Sequence, residues 1–143
     1  MGKVYIVAGR RTAIGSFLGS LSDVNAADMG AEVVKAVLAD AKVKPEQVDE
    51  LICGNILSAG LGQGVGRQIA VKAGIPVEVC AYSLNMLCGS GMKAVLNGVK
   101  ASRTATRISS WPVAWRTCPL PPICCPRAPA PASRWAPIRW KTT

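Results

Sequence analysis

The chain has 143 residues, half of them hydrophobic, which is enough for one domain with a core and too apolar for a disordered polymer. No apolar run approaches the roughly 20 residues that cross a bilayer, and the opening "MGKVYIVAGRRT" has too short an apolar stretch for a secretory leader, so a cytoplasmic protein with no membrane partner is expected. The net charge of +9 is unevenly held: residues 1–101 carry ten Lys/Arg against eight Asp/Glu, hence +2, and residues 102–143 carry seven Lys/Arg and no acid, hence +7.

In chain order, "KVYIVAG" is a continuous apolar run rich in β-branched residues, the pattern of a strand buried on both faces. Arg10 to Leu21 reads as loop; Arg10 and Arg11 could meet phosphates, although solvated charge is the commoner role of such residues. A helix should start after Asn25, which can cap it, with Asp28 at the third helical position facing the positive end of the dipole. Met29, Val33, Val37 and Ala41 recur along one face of it. "ELICGNIL" is a second short strand candidate, and "SAGLGQGVG" a glycine-rich loop in which no register gives the dinucleotide fingerprint G-x-G-x-x-G/A. Val65, Ile69 and Ala73 share a helical face that Gly74 and Pro76 terminate. Val77, Val79 and Ala81 alternate as in a strand. Met92, Val95, Leu96 and Val99 then define one face of a third helix. The order β-α-β-α-β-α implies a mostly parallel sheet with helical crossovers.

Six cysteines with no C-x-x-C pair and no histidine argue against a zinc site, and no metal or cofactor is implied. Cys53 and Cys80 read as core residues. Cys88 differs, because "NMLCGSGMKAV" places it where the third strand would turn into the third helix. Helix N-termini favour negative charge, and a thiolate is both such a charge and the nucleophilic form of cysteine. Gly89 and Gly91 remove bulk beside it. Two readings are open, an acyl-accepting nucleophile or a small thiol packed against a tight turn. "CGSGM" is not G-x-S-x-G, so Ser90 reads as a turn or capping residue and not as a nucleophile.

"NMLCGSGMKAV", with "RTAIGSFLGSLSDVNAADMGAEVVKAVL" and "GNILSAGLGQGVGRQIAVKAGIP", resembles the first part of a thiolase over roughly residues 3–101, and most of all a biosynthetic acetyl-CoA acetyltransferase. The resemblance implies a layered α/β fold of which this stretch is an incomplete N-terminal half. It implies Cys88 as acyl-thioester nucleophile, acetyl-CoA and coenzyme A as substrate and product, and condensation of two acetyl-CoA to acetoacetyl-CoA. It further implies a homotetramer that supplies polyester (polyhydroxybutyrate) or other biosynthesis. The family's base, a histidine, and its second cysteine lie outside the matching region, so the chain as printed is expected to be inactive. Another condensing enzyme of the superfamily, with a different acyl length, fits the same residues.

Residues 102–143 change character: all 14 glycines precede them, and they hold all four tryptophans and eight of the ten prolines. They admit three readings: a basic arm binding nucleic acid with Trp111, Trp115, Trp135 and Trp140 as stacking surfaces, an unstructured tail, or a frameshift near residue 102. The last can be tested on the genetic code. Read one base out of phase, Trp111-Pro112 must spell Ala, Cys124-Cys125 Leu, Trp135-Ala136 Gly and Trp140-Lys141 Glu. Residues 107–117 then permit "DIVVAGGMEN", which resembles the segment directly after the CGSG helix of thiolases. The frameshift is the favoured reading. It makes 1–101 the thiolase part and 102–143 an aberrant tail with no selected fold, nucleic acid being the less favoured partner.

Overall fold

The computed structural model describes residues 3–16 and 18–104, and the backbone of 110–113. The remainder of the predicted tail, 105–109 and 114–143, lies outside the described residues. The first regular element is helix α1 (Ala26–Ala41), which starts where the sequence places it. The side chain of Asn25 accepts a hydrogen bond from the Ala27 amide, and Asp28 lies in the first turn. Its buried side is built from Ala27, Ala31, Val34 and Leu38, with Val33 beside them. Met29 and Val37, expected at the centre of that face, pack at its margin. Lys42, in left-handed conformation, closes the helix, and a 3₁₀ turn over Pro45–Gln47 leads to strand β1 (Glu50–Gly54).

β1 is the middle strand of a parallel three-stranded sheet. It pairs on one side with β2 (Cys80–Leu84), Cys53 opposite Ser83, and on the other with β3 (Ser110–Val113), Ile52 opposite Pro112. Helix α2 (Val65–Lys72) joins β1 to β2, and α3 (Ser90–Arg103) joins β2 to β3, so α3 extends just past the boundary expected at residue 101. Successive residues of a strand face opposite ways. Leu51 and Cys53 accordingly enter the core formed with α1 and α2, including Ile69, Ala70 and Leu38. Ile52 is as buried but stands outside that core, on the face of Gly54, which backs onto the start of α3. Helices therefore cover both faces of the sheet, the layered α/β arrangement expected.

Three expectations are corrected. "KVYIVAG" forms no strand: the segment pairs with none of the three strands, and Tyr5, Ile6 and Val7 are 72%, 86% and 60% exposed. A buried strand needs a backbone partner and two covering layers, and the described residues offer this segment neither. The strand expected from Val77 starts at Cys80. Pro76 seeds a turn closed by the Val79 amide donating to its carbonyl at 3.1 Å, and the Arg67 guanidinium takes the carbonyls of Val77 and Val79 at 2.6 and 2.9 Å. Finally, α3 buries its small residues Ser90, Ala94 and Gly98, while Met92 and Leu96 of the expected apolar face are exposed.

Candidate active site

The carboxyl ends of β1 and β2 carry the two loops of interest. β1 runs into Asn55 and the glycine-rich stretch, where Gly60, Gly62 and Gly64 all have positive φ, and the Gln68 side chain donates to the carbonyls of Leu61 and Gln63 at 2.7 and 3.0 Å. β2 runs into Asn85 and then the turn that holds Cys88. The loops are tied together twice. The Asn55 amide donates to the Leu84 carbonyl at 3.0 Å, and the Asn85 side-chain amide donates to the Ile56 carbonyl at 3.3 Å. α2 carries the chain from β1 to β2 on one face of the sheet, and α3 carries it from β2 back across β1 to β3 on the other. Both loops thus stand at the carboxyl ends of adjacent parallel strands, where open α/β sheets form ligand crevices.

Cys88 is exposed and stands two residues before the first helical residue of α3, whose N-cap is Gly89. The helix start is tightly wound into the turn. The amides of Gly89 and Ser90 donate to the carbonyls of Met86 and Leu87, each at 3.0 Å. Two of the four amides that a helix leaves over at its start are thereby taken by the turn itself. Cys88 is thus presented by a strand-turn-helix corner, with less of the helix terminus open to it than the sequence suggested.

The corner is held by residues that sequence reasoning had assigned little. Leu87 lies in the left-handed region at φ 48°, a conformation costing a non-glycine residue roughly 1–2 kcal/mol. The Asn85 side-chain oxygen accepts from its amide at 2.9 Å. Ser90, 3% exposed, accepts from the Met86 amide at 2.9 Å and donates to the Leu87 carbonyl at 2.7 Å. Ser90 is therefore a turn residue, as expected, although it is the first helical residue and not the cap. Leu57, Met86, Leu87, Met92 and Leu96 leave apolar surface exposed in the loops and helix around the corner.

The other cysteines divide. Cys53 is wholly buried, and burial pushes its thiol up to about 11 against the opposing effect of a Ser83 hydrogen bond. Cys80, expected in the core, is exposed because it opens β2, a sheet edge among the described residues. All three described cysteines are thiols. Arg10 makes a bidentate ion pair with Asp40, which holds that carboxyl below the usual carboxylate range. An open hollow of about 520 Å³ between α1 and α2, lined by Thr12, Val24, Asp28, Glu32 and Lys72 among others, includes no residue of the Cys88 corner. Its Lys72 is already paired with Asp28. Among the described residues no group of three or more His, Cys, Asp or Glu is placed to hold a metal, and no helix is long and apolar enough to cross a membrane.

Comparison with known proteins places this geometry. Residues 4–107 match the family model described as thiolase, N-terminal domain. The acetyl-CoA acetyltransferase of Cupriavidus necator is 52% identical over 101 residues, 71% of this chain and 26% of the relative. The cytosolic acetyl-CoA acetyltransferase of Mus musculus is 56% identical over 92 residues, 64% of this chain and 23% of the relative. Among solved structures, the Acat5 thiolase of Ascaris suum in complex with coenzyme A superimposes with a TM-score of 0.70 at 37% identity, covering 72% of this chain and 27% of that one. The chain thus spans about a quarter of the length of the curated relatives it matches. With a parallel sheet layered between helices, and a family match running through the corner that presents Cys88, this chain belongs to the thiolase family, residues 4–107 matching its N-terminal domain.

Proposed function

We propose that this chain is the acyl-accepting part of an acetyl-CoA acetyltransferase, with Cys88 as the residue that carries the acetyl group. The observation that carries the reading is the exposure of Cys88 at a rigid strand-turn-helix corner on the carboxyl side of the sheet. In the first step the Cys88 thiolate attacks the thioester carbonyl of acetyl-CoA. A new sulfur–carbon bond forms, the coenzyme A sulfur leaves with the bonding pair, and a proton is taken up there. In the second step the methyl carbon of another acetyl-CoA, having lost a proton to a base, attacks the acetyl-Cys88 carbonyl. This gives acetoacetyl-CoA and returns the thiolate. The base and a second cysteine are supplied elsewhere in the family's sequence, and this chain has no histidine. The complete enzyme is proposed to be a cytoplasmic homotetramer whose acetoacetyl-CoA feeds polyester or related synthesis.

We propose also that the reading frame is broken near residue 102. Two observations support this. The family match ends at residue 107. And the sheet places its third strand at Ser110–Val113, a span whose out-of-phase reading the genetic code constrains. Out of phase, the codon spanning Ser110-Trp111 spells Val, Leu or Met whichever serine codon is used, and the next spells Ala. The alternative frame thus makes two consecutive residues of that strand apolar by necessity. Incubation of the 143-residue chain with acetyl-CoA should release coenzyme A no faster than the background. Insertion of one base between the codons for Ala101 and Thr106 should yield a longer product, with histidine, that turns over. Enzyme-like release by the printed chain would refute both the truncation and the need for the missing base.

A further inference from the structure

We propose that Ser90 is the positioning residue of the acyl-carrying corner, fixing where the Cys88 sulfur stands by locking the turn from inside, with Asn85 locking it from outside; this rests on the reading of Cys88 as acyl carrier. The geometry is specific. One buried hydroxyl uses both its capacities on the two residues preceding the cysteine, accepting from Met86 and donating to Leu87. The Asn85 side chain holds the Leu87 amide and reaches across to Ile56 on the neighbouring loop. Between them they secure the Leu87 peptide on both sides, its amide to Asn85 and its carbonyl to Ser90. That is what an unfavourable left-handed leucine needs in order to persist. With Leu87 held so, Cys88 leaves the corner in one direction. If Leu87 were free to relax to an ordinary conformation, Cys88 would swing away from the sheet's crevice. Ser90 acts through the backbone, by its hydrogen bonds to the Met86 amide and the Leu87 carbonyl.

The three described thiols supply their own controls. Cys80 is an exposed reference and Cys53 a buried one. The 143-residue chain and its Ser90→Ala and Asn85→Ala variants would be alkylated with iodoacetamide at neutral pH. Rates would be read residue by residue by mass spectrometry. In the parent, Cys88 should react faster than Cys80, because the locked turn presents its sulfur in one outward direction. In both variants that ratio should fall toward one, while Cys53 stays unlabelled. An unchanged ratio in both variants would overturn the proposal. So would labelling of Cys53 that rises in step with the loss, because Ser90 would then only hold the fold. Asn85 is exposed, so its variant carries the test if Ser90→Ala fails to fold. A parent in which Cys88 reacts no faster than Cys80 would instead sink the acyl-carrier reading, and this proposal with it.

Discussion

Cys53 and Cys88 belong to neighbouring strand ends yet meet opposite surroundings. Cys53 lies between β1 and α2 with no exposed surface, and desolvation of its charged form holds it as a thiol up to about 11. It therefore offers no competing nucleophile at neutral pH to the acyl-carrying role proposed for Cys88. The same shift has a thermodynamic signature. Between pH 9 and about 11 the unfolded chain gives up the Cys53 proton and the folded chain keeps it, so the unfolded state binds fewer protons and stability falls as pH rises. That difference corresponds to roughly 2–3 kcal/mol. Urea denaturation midpoints of the parent and Cys53→Ala should therefore converge or cross as pH rises through this window; parallel curves would place Cys53 in contact with water.

At the scale of elements, β1 and α3 meet where no side chain intervenes. A Cβ on Gly54 would stand 2.6 Å from the Ser90 carbonyl carbon and 2.7 Å from the Gly91 nitrogen, both backbone atoms that cannot turn aside. Gly54→Ala must push the helix start off the strand, at a cost of about 3 kcal/mol or more. Because the displaced atoms belong to the Cys88 corner, the loss of stability seen in thermal denaturation should come with altered Cys88 alkylation. The sequence makes some of this legible. Asn25 with Asp28, and Val65 with Ile69 and Ala73, are local signals, and their helices appear where they predict. α3 was legible in extent but not in orientation, because periodicity marks Met92 and Leu96 as the side to bury, whereas the close approach of β1 selects Ser90, Ala94 and Gly98. At the site, Cys88 stood out by its junction. Ser90 and Asn85 did not, since their value lies in hydrogen bonds to Met86, Leu87 and Ile56 that no spacing rule encodes. Strand "KVYIVAG" failed because apolar composition records a tendency, while a strand also requires a neighbour.

At the scale of the whole molecule, the described residues leave an unusual amount of apolar surface uncovered, on the N-terminal segment, the Cys88 corner and α3. The chain spans about a quarter of the curated relatives' length, so the printed product should be far less stable than a complete thiolase subunit. A dye that fluoresces on apolar surfaces should bind the 143-residue chain strongly and its frame-restored counterpart weakly; equal binding would deny that the frame matters to folding. Among the described residues the run from Lys3 to Gly9 pairs with no strand, which sharpens the point. It is a β-prone ribbon without charge between Val4 and Gly9, tethered near Asp40 by Arg10, and β2, an edge among the described residues, has backbone groups to offer. If the ribbon of one copy docks on the margin of the next, the contact joins unlike surfaces and does not close on itself, so growth is open-ended. Raising the concentration should then produce filaments, and a lysine in place of Ile6 should halt them.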